Sequence, residues 1–248
     1  MTRLLGTVAL LSLVFGAAPA AQNSPALPAA KDLIAKHIAA IGGQKAYKAI
    51  SSMRVRGNFE MAPNMGGDFE IIQARPDKMV QRINVTGMGH AESGFDGKHG
   101  WTVSPQGGAE LLTGRQLSEL TDDAWFDGTL HEPDHVREMT TIEKTEFGGR
   151  PAYKVKLTLA SGHEEFEFFD LESGWVIGSE SRRDTPMGVL PTTSWLKDYK
   201  RFGALMFPTV IVQRMLSSEQ SLKIATVELD VVQPMEFEPP PAVKALIK

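Results

Sequence analysis

Residues 131–135 read His-Glu-Pro-Asp-His. On a helix, that spacing sets two imidazoles at i and i+4 over one metal, with a glutamate beside them as base. Such a site would make the chain a zinc-dependent hydrolase acting through His131, Glu132 and His135. Pro133 argues against it, because proline is accommodated only in a helix's first turn. A helix starting at Pro133 and running through Val136 to Met139 leaves His131 outside, and the shared face is lost. His163 stands alone on a hairpin, and His90 and His99 flank another with too few nitrogens for a metal site. Ser194–Lys197 fits S-x-x-K but lies in a strand-like run, whereas that nucleophile sits at a helix start. The glycines at 87, 89 and 94 lack the lysine and helix of a phosphate cradle. Asp122-Asp123 and Glu164-Glu165 read as solvated carboxylate pairs, and His37, on the apolar side of the first helical segment, as a core histidine. The expectation is a binding protein without catalytic residues, metal or cofactor, with the zinc hydrolase as the alternative.

What must position these residues begins after the first twenty. Arg3, the apolar run Leu4–Gly16 and Ala18-Pro19-Ala20 form the pattern of a cleaved secretory signal peptide. The remaining residues 21–248 are expected to form one exported domain, placed in the periplasm. The chain carries 26 basic and 30 acidic side chains with no basic run, which speaks against a nucleic-acid partner. With no cysteine, the exported fold must be held by packing alone.

From Ser52 onward the apolar residues alternate, the period of half-buried strands. Met53, Val55, Phe59 and Met61 alternate with Arg54, Arg56, Asn58 and Glu60, and similar runs recur between turns expected at Gly66-Gly67, Gly87–Gly89, Asp96-Gly97, Gly148-Gly149, Gly162 and Gly174. About ten strands with short connections imply antiparallel neighbours. Two helices are expected. One spans Ala29–Ile41 and stops at Gly42-Gly43; the other spans Thr113–Trp125, opened by a Thr113/Gln116 capping box with Leu117, Leu120 and Ala124 on one face. The C-terminal PPPAVKAL reads as a loose tail. A sheet this wide curls, and two short helices cannot cover its apolar face. It either closes into a packed barrel or curves around the helices and leaves an apolar cavity.

The order of AAIGG, SSMRVRGNFEM, QARPDKMVQRI and GFDGKHGWTVSP, then DTPMGVLPTTSWLKDYKRFGALMFPTVI, resembles the LolA/LolB-like lipoprotein carriers, above all the outer-membrane lipoprotein-sorting proteins. The resemblance implies a mainly β fold, a curved antiparallel sheet forming an open, half-closed barrel around one or two helices. It implies a monomeric carrier of lipoprotein acyl chains or another lipid, with envelope proteins as further partners. Residues expected to line its cavity are Phe59, Phe69, Ile71, Met79, Trp101, Leu117, Leu120, Phe168, Trp195 and Phe207. Trp101 is expected on the inner face, after the Asp96-Gly97 turn. In such carriers an arginine before a proline holds the helical lid shut, which points to Arg75 as a lid latch bonding carbonyls of 113–125; a solvated edge charge is the plainer reading. A barrel filled by its own side chains would instead be an envelope scaffold.

Overall fold

The computed structural model describes residues 26–61, 65–185 and 188–247, so the expected signal peptide lies outside the described residues. Its first helices are α1 (Ala30–Ala40) and α2 (Gln44–Lys48). Six strands follow: β1 (Ser52–Met61), β2 (Met65–Ala74), β3 (Lys78–Val85), β4 (Gly89–Phe95), β5 (Gly100–Ser104) and β6 (Gly108–Leu111). Helix α3 (Gly114–Ala124) leads to β7 (Val136–Phe147), β8 (Arg150–Leu159), β9 (Glu164–Asp170) and β10 (Val176–Thr185). The chain ends with β11 (Gly188–Phe202), β12 (Leu205–Met215), β13 (Ser218–Leu229) and α4 (Pro241–Lys244).

The thirteen strands form one antiparallel sheet in the order β6-β5-β4-β3-β2-β1-β13-β12-β11-β10-β9-β8-β7. Two meanders are joined side by side where β1 pairs with β13, Val55 opposite Val227. The outermost strands, β6 and β7, do not pair, so the curved sheet stays an open half-barrel. This is the mainly β architecture expected from the alternation, with more strands than the ten read from sequence because β4, β5 and β6 are short.

The chain leaves the sheet at one edge and re-enters at the other, so the link between β6 and β7 must cross the open mouth. Helix α3 lies in that link. Leu120 and Ala124 pack on Met79 and Phe95 of the first meander. The N-cap Thr113 makes no side-chain capping bond, so the expected capping box does not form. Helix α1 packs Leu33 and Ile34 against Val155, Leu157, Phe169 and Val176 of the second meander. A further apolar cluster on the concave face gathers Tyr47, Ile50, Met53, Phe59, Phe69 and Leu205.

Three expectations are corrected here. No helix runs from Pro133 to Met139: a turn ends at His135 and β7 begins at Val136. The reason is that Val136 finds a buried place opposite Leu159 at the end of the β7–β8 pairing. Gly66 and Gly67 lie within β2, paired with Glu60 and Phe59, and are not a turn. The C-terminal segment is docked: Phe237 and Val243 are buried against Ile72, Val80 and Trp101 on the convex face.

That convex cluster also corrects Trp101. Strand neighbours alternate faces, and Gly100 meets Leu117 on the concave side, so Trp101 turns outward. Its partner Gly94 makes room: a Cβ there would sit 2.3 Å from the Trp101 ring. The Trp101 indole donates to Glu92 Oε1 at 3.0 Å. Phe168 and Trp195 likewise join Phe147 and Ile177 on the convex side. Phe147 stacks on Phe168 at 3.9 Å and lies over Gly178, where a Cβ would come within 2.2 Å of its ring.

The docked C-terminal segment is therefore a structural cover of the first meander. Changing Phe237 to alanine should cost about 3–4 kcal/mol, the usual penalty for emptying a buried phenylalanine site. Urea denaturation should show a lower midpoint; an unchanged midpoint would mean that the segment contributes nothing to the fold.

Candidate functional site

Between α1, α3 and strands β8–β12, the concave side keeps a cavity of about 430 Å³. One wall is apolar: Ile41, Met53, Leu159, Val176, Leu196, Met206 and Phe207, with Tyr47 and Tyr199. The rest of the lining is acidic, with Glu119, Asp122, Asp123, Glu164, Glu165 and Glu167 beside His37, His135, His163 and Arg183. Of the residues expected to line it, the cavity takes Phe207. Phe59, Phe69 and Ile71 lie in the neighbouring concave cluster, and Met79 lies under α3, packed with that helix's own Leu117 and Leu120.

The acidic pole arises from the parity of β9. Phe169 faces α1, so Glu167 and Glu165 also face inward, while Phe166 and Phe168 face out over Lys154. Reading the phenylalanines as the inner set therefore inverts the strand, and Glu165 is not a solvated carboxylate. The sequence carried a signal for this: Glu165, Glu167 and Phe169 keep one alternation, and only Phe169 is needed to seat it.

Inside this pole the histidines have distinct states. His37 Nδ1 accepts from the Val176 amide at 3.2 Å, so Nε2 carries the proton and donates to Thr129 Oγ1 at 3.3 Å. Burial holds this imidazole neutral, down to about 4. It is the satisfied core histidine expected. His131 donates from Nε2 to Glu167 at 2.7 Å and from Nδ1 to the Thr129 carbonyl at 2.9 Å. Burial would discharge both partners, but their mutual attraction wins: His131 is raised and Glu167 is lowered. They form an imidazolium–carboxylate pair.

The remaining members of the 131–135 motif point elsewhere. Glu132 turns outward to Lys48 Nζ at 2.6 Å and Gln44 Nε2 at 3.2 Å. His135 stacks flat on Trp125, ring centres 5.7 Å apart, and neither ring nitrogen has a hydrogen-bond partner. His131 adopts φ 52°, which separates it from His135 as Pro133 implied. Among the described residues no group of three or more His, Cys, Asp or Glu side chains is arranged to hold a metal.

Glu165 is the carboxylate at this pole with no hydrogen bond or ion pair within reach. Burial, and then the charge of Glu167, push it up to about 7. The unfolded carboxyl loses its proton at lower pH than the folded one, so this group costs stability as pH rises from about 4.5 to 7, and the full cost stands above that range. Changing Glu165 to glutamine should raise stability by about 1–3 kcal/mol near pH 8. The gain should vanish below about pH 4, where both states hold the proton. Thermal melting of the two proteins at both pH values checks the sign.

Helix α3 closes the cavity through two unlike edges. Its apolar edge sits on the first meander, as described above. Its acidic edge reaches the second. Both Glu119 carboxylate oxygens accept from the Asp184 amide at 3.0 Å, Asp123 pairs bidentately with Arg183 at 2.8 and 2.9 Å, and Asp122 meets His163 at 2.6 Å. Arg75 acts at a different place. Its Nε donates to the Ile50 carbonyl at 2.7 Å and its Nη2 to the Tyr47 carbonyl at 3.1 Å, and it ion-pairs with Asp127 while lying over Phe126. It ties α2 to the segment after α3 and bonds no carbonyl of 113–125. The guanidinium does satisfy several acceptors at once, as expected, and is no solvated edge charge.

Changing Arg183 to leucine should therefore leave global stability within about 1 kcal/mol, as for a part-exposed ion pair. Amides of Gly114–Ala124 should nevertheless exchange faster. Changing Arg75 to leucine should cost about 2–4 kcal/mol overall, because the Tyr47 and Ile50 carbonyls lose their guanidinium donor and Asp127 keeps only Lys48. Hydrogen exchange by mass spectrometry separates the two; α3 loosened by the Arg75 change alone would restore Arg75 as the latch.

A curved, open antiparallel sheet with a helix crossing its mouth and a void beneath it defines the class of LolA/LolB-like folds. Solved structures agree. The chain is similar to a LolA superfamily protein from Nitrosomonas europaea, with TM-score 0.58 and 13% identity over 86% of this chain and 99% of that one. It is similar to a DUF1329 family protein from Desulfovibrio piger, with TM-score 0.56 and 9% identity over 84% and 97%. A Vibrio parahaemolyticus chain described as an outer membrane lipoprotein-sorting protein domain gives TM-score 0.51 and 9% identity over 82% and 97%. No family model matches the sequence, and no curated protein does. The fold is LolA/LolB-like.

Proposed function

We propose that this protein is an exported, periplasmic carrier that holds lipoprotein acyl chains or another lipid in its half-barrel cavity, in the sorting of outer-membrane lipoproteins. The observation that carries the reading is the unfilled concave face. Helices α1, α2 and α3 cover the concave face yet leave about 430 Å³ against an apolar wall. That volume falls within the ~300–1,000 Å³ usual for small-ligand sites. An envelope scaffold packed solid by its own side chains would have no such void. A zinc hydrolase would need His131, Glu132 and His135 on one ion, and they are engaged in three separate contacts. The sorting-protein domain and the LolA superfamily protein of the same fold support the carrier class over an enzyme.

Export rests on the signal-peptide pattern of residues 1–20, and residues 21–248 act as one ligand-binding domain, a monomer. Envelope proteins that deliver or receive the lipid are its further partners. Residues Leu196, Met206 and Phe207 of the apolar wall take the chain, and α3 is the lid that lets it in.

The test is direct. A fluorescent fatty-acid analogue should bind and be displaced by long-chain fatty acids. Filling the apolar wall by changing Leu196 to tryptophan should weaken that binding roughly 10-fold or more, since bulk that exceeds the space costs over 1 kcal/mol. A protein that binds no acyl chain of any length would favour the scaffold reading.

A further inference from the structure

We propose that one end of the half-barrel docks on a lipid bilayer through three neighbouring hairpins, which present Met65, Met88 and Leu216. This rests on the carrier reading and names the surface with which the cargo is exchanged.

Hairpins β1–β2, β3–β4 and β12–β13 turn at the same end of the sheet. Met61 pairs with Met65 on one side and with Gln220 on the other, and the Thr86 amide donates to the Gly66 carbonyl at 2.9 Å. The three turns therefore lie side by side along one rim. Their large apolar side chains stand in solvent: Met65 is 37% exposed, Met88 50% and Leu216 58%. Residues 65–67, 84–89 and 215–218 contain no Asp, Glu, Lys or Arg. The turns at the other end of the first meander are charged, Arg75-Pro76-Asp77-Lys78 and Asp96-Gly97-Lys98-His99. Charges behind the rim are matched, Arg214 with Glu219 at 2.7 Å and Lys223 with Glu60 at 2.8 Å.

Leu216 supplies a second, independent observation. It stands first in a two-residue turn, where asparagine or glycine is favoured. Its φ of 55° is a left-handed conformation that disfavours leucine. Packing does not offset this, because the side chain points into solvent. Backbone strain of this kind, without an internal reason, marks a position used for contact outside the chain.

The occupant follows from where the rim leads. One apolar cluster on the concave face joins Met53, Met206 and Phe207 of the cavity to Met61 and Val85 beside the rim. An acyl chain leaving a bilayer at the rim keeps apolar contact as far as the cavity. Apolar side chains on separate tips bury well at the boundary of head groups and acyl chains, where affinity scales with apolar area. A protein partner would use charges to set its register, and the rim offers none.

Vesicle flotation of the mature chain, residues 21–248, tests this. The protein should float with phosphatidylcholine vesicles. Raising salt from about 0.05 to about 0.5 M should change the bound fraction less than about 2-fold, because the contact is apolar. The double change M88D/L216D should lower vesicle affinity roughly 10-fold or more, since two side chains then stay in water. That variant should still bind the fluorescent fatty-acid analogue in solution within about 2-fold of the unaltered protein, because neither residue lines the cavity. Met235, 72% exposed on the docked C-terminal segment, is the control, and M235D should float like the unaltered protein. Absence of flotation by the unaltered protein, flotation surviving in M88D/L216D, or equal loss in M235D overturns the docking rim and leaves the carrier reading standing. Self-association without flotation, abolished in M88D/L216D, assigns the rim to a second copy and overturns it as well. Failure to bind the fatty-acid analogue with flotation intact overturns the carrier reading alone.

Discussion

The structure depends on one constraint: a thirteen-stranded antiparallel sheet whose edge strands do not meet. Closure would have let the strands fill the interior with their own side chains, as small barrels do. Because β6 and β7 remain apart, the concave face must be covered by something else. The chain supplies little for this: α1 and α2 from before the sheet, and α3 from the link between its two edges. Helix α3 is where it is because the link has to cross the mouth. Its amphipathic character then follows from what lies on either side. The first meander offers Met79 and Phe95, so that edge is apolar; the second offers Arg183, His163 and the Asp184 amide, so that edge is acidic.

The two edges differ in physical kind, and this bears on how a cavity beneath such a helix can open. Apolar contacts are non-directional and survive small shifts. The ion pairs of the acidic edge need geometry and are weakened by solvent and salt. The acidic edge is therefore the one that salt and solvent weaken first. Arg75 lies on the far side of this arrangement, fastening the segment after α3 to α2.

The acidic part of the cavity lining has an instructive origin. Strand β9 carries phenylalanines on both faces, Phe166 and Phe168 outward and Phe169 inward. The outward pair is sheltered by Phe147 and the stem of Lys154, so the convex side has a core of its own. A strand buried on both faces has no face that hydrophobicity alone can name. The glutamates go inward because Phe169 is held by α1, and the pairing of Glu167 with His131 offsets part of the expense of burying it.

The period-two alternation, the turn glycines and the shortage of helical segments were enough by themselves to determine a wide antiparallel sheet with helices near 29–41 and 113–125, while its openness was implied by the family resemblance and left undecided by the pattern. Pro133 likewise sufficed to separate His131 from His135, since the ring excludes the helix that would join them. Which face each strand turned inward was settled only by tertiary structure. Trp101 went outward because Gly94 left a berth that Phe237 and Val243 then sealed, and those partners lie some 140 residues away in the chain. Phe168 and Trp195 went outward because Phe147 reached across Gly178 to cover them. Arg75 met Tyr47, Ile50 and Asp127 only because three separate segments converge there. Alternation is local and carries the period; the sign of the face depends on what covers it, and the covers come from distant parts of the chain.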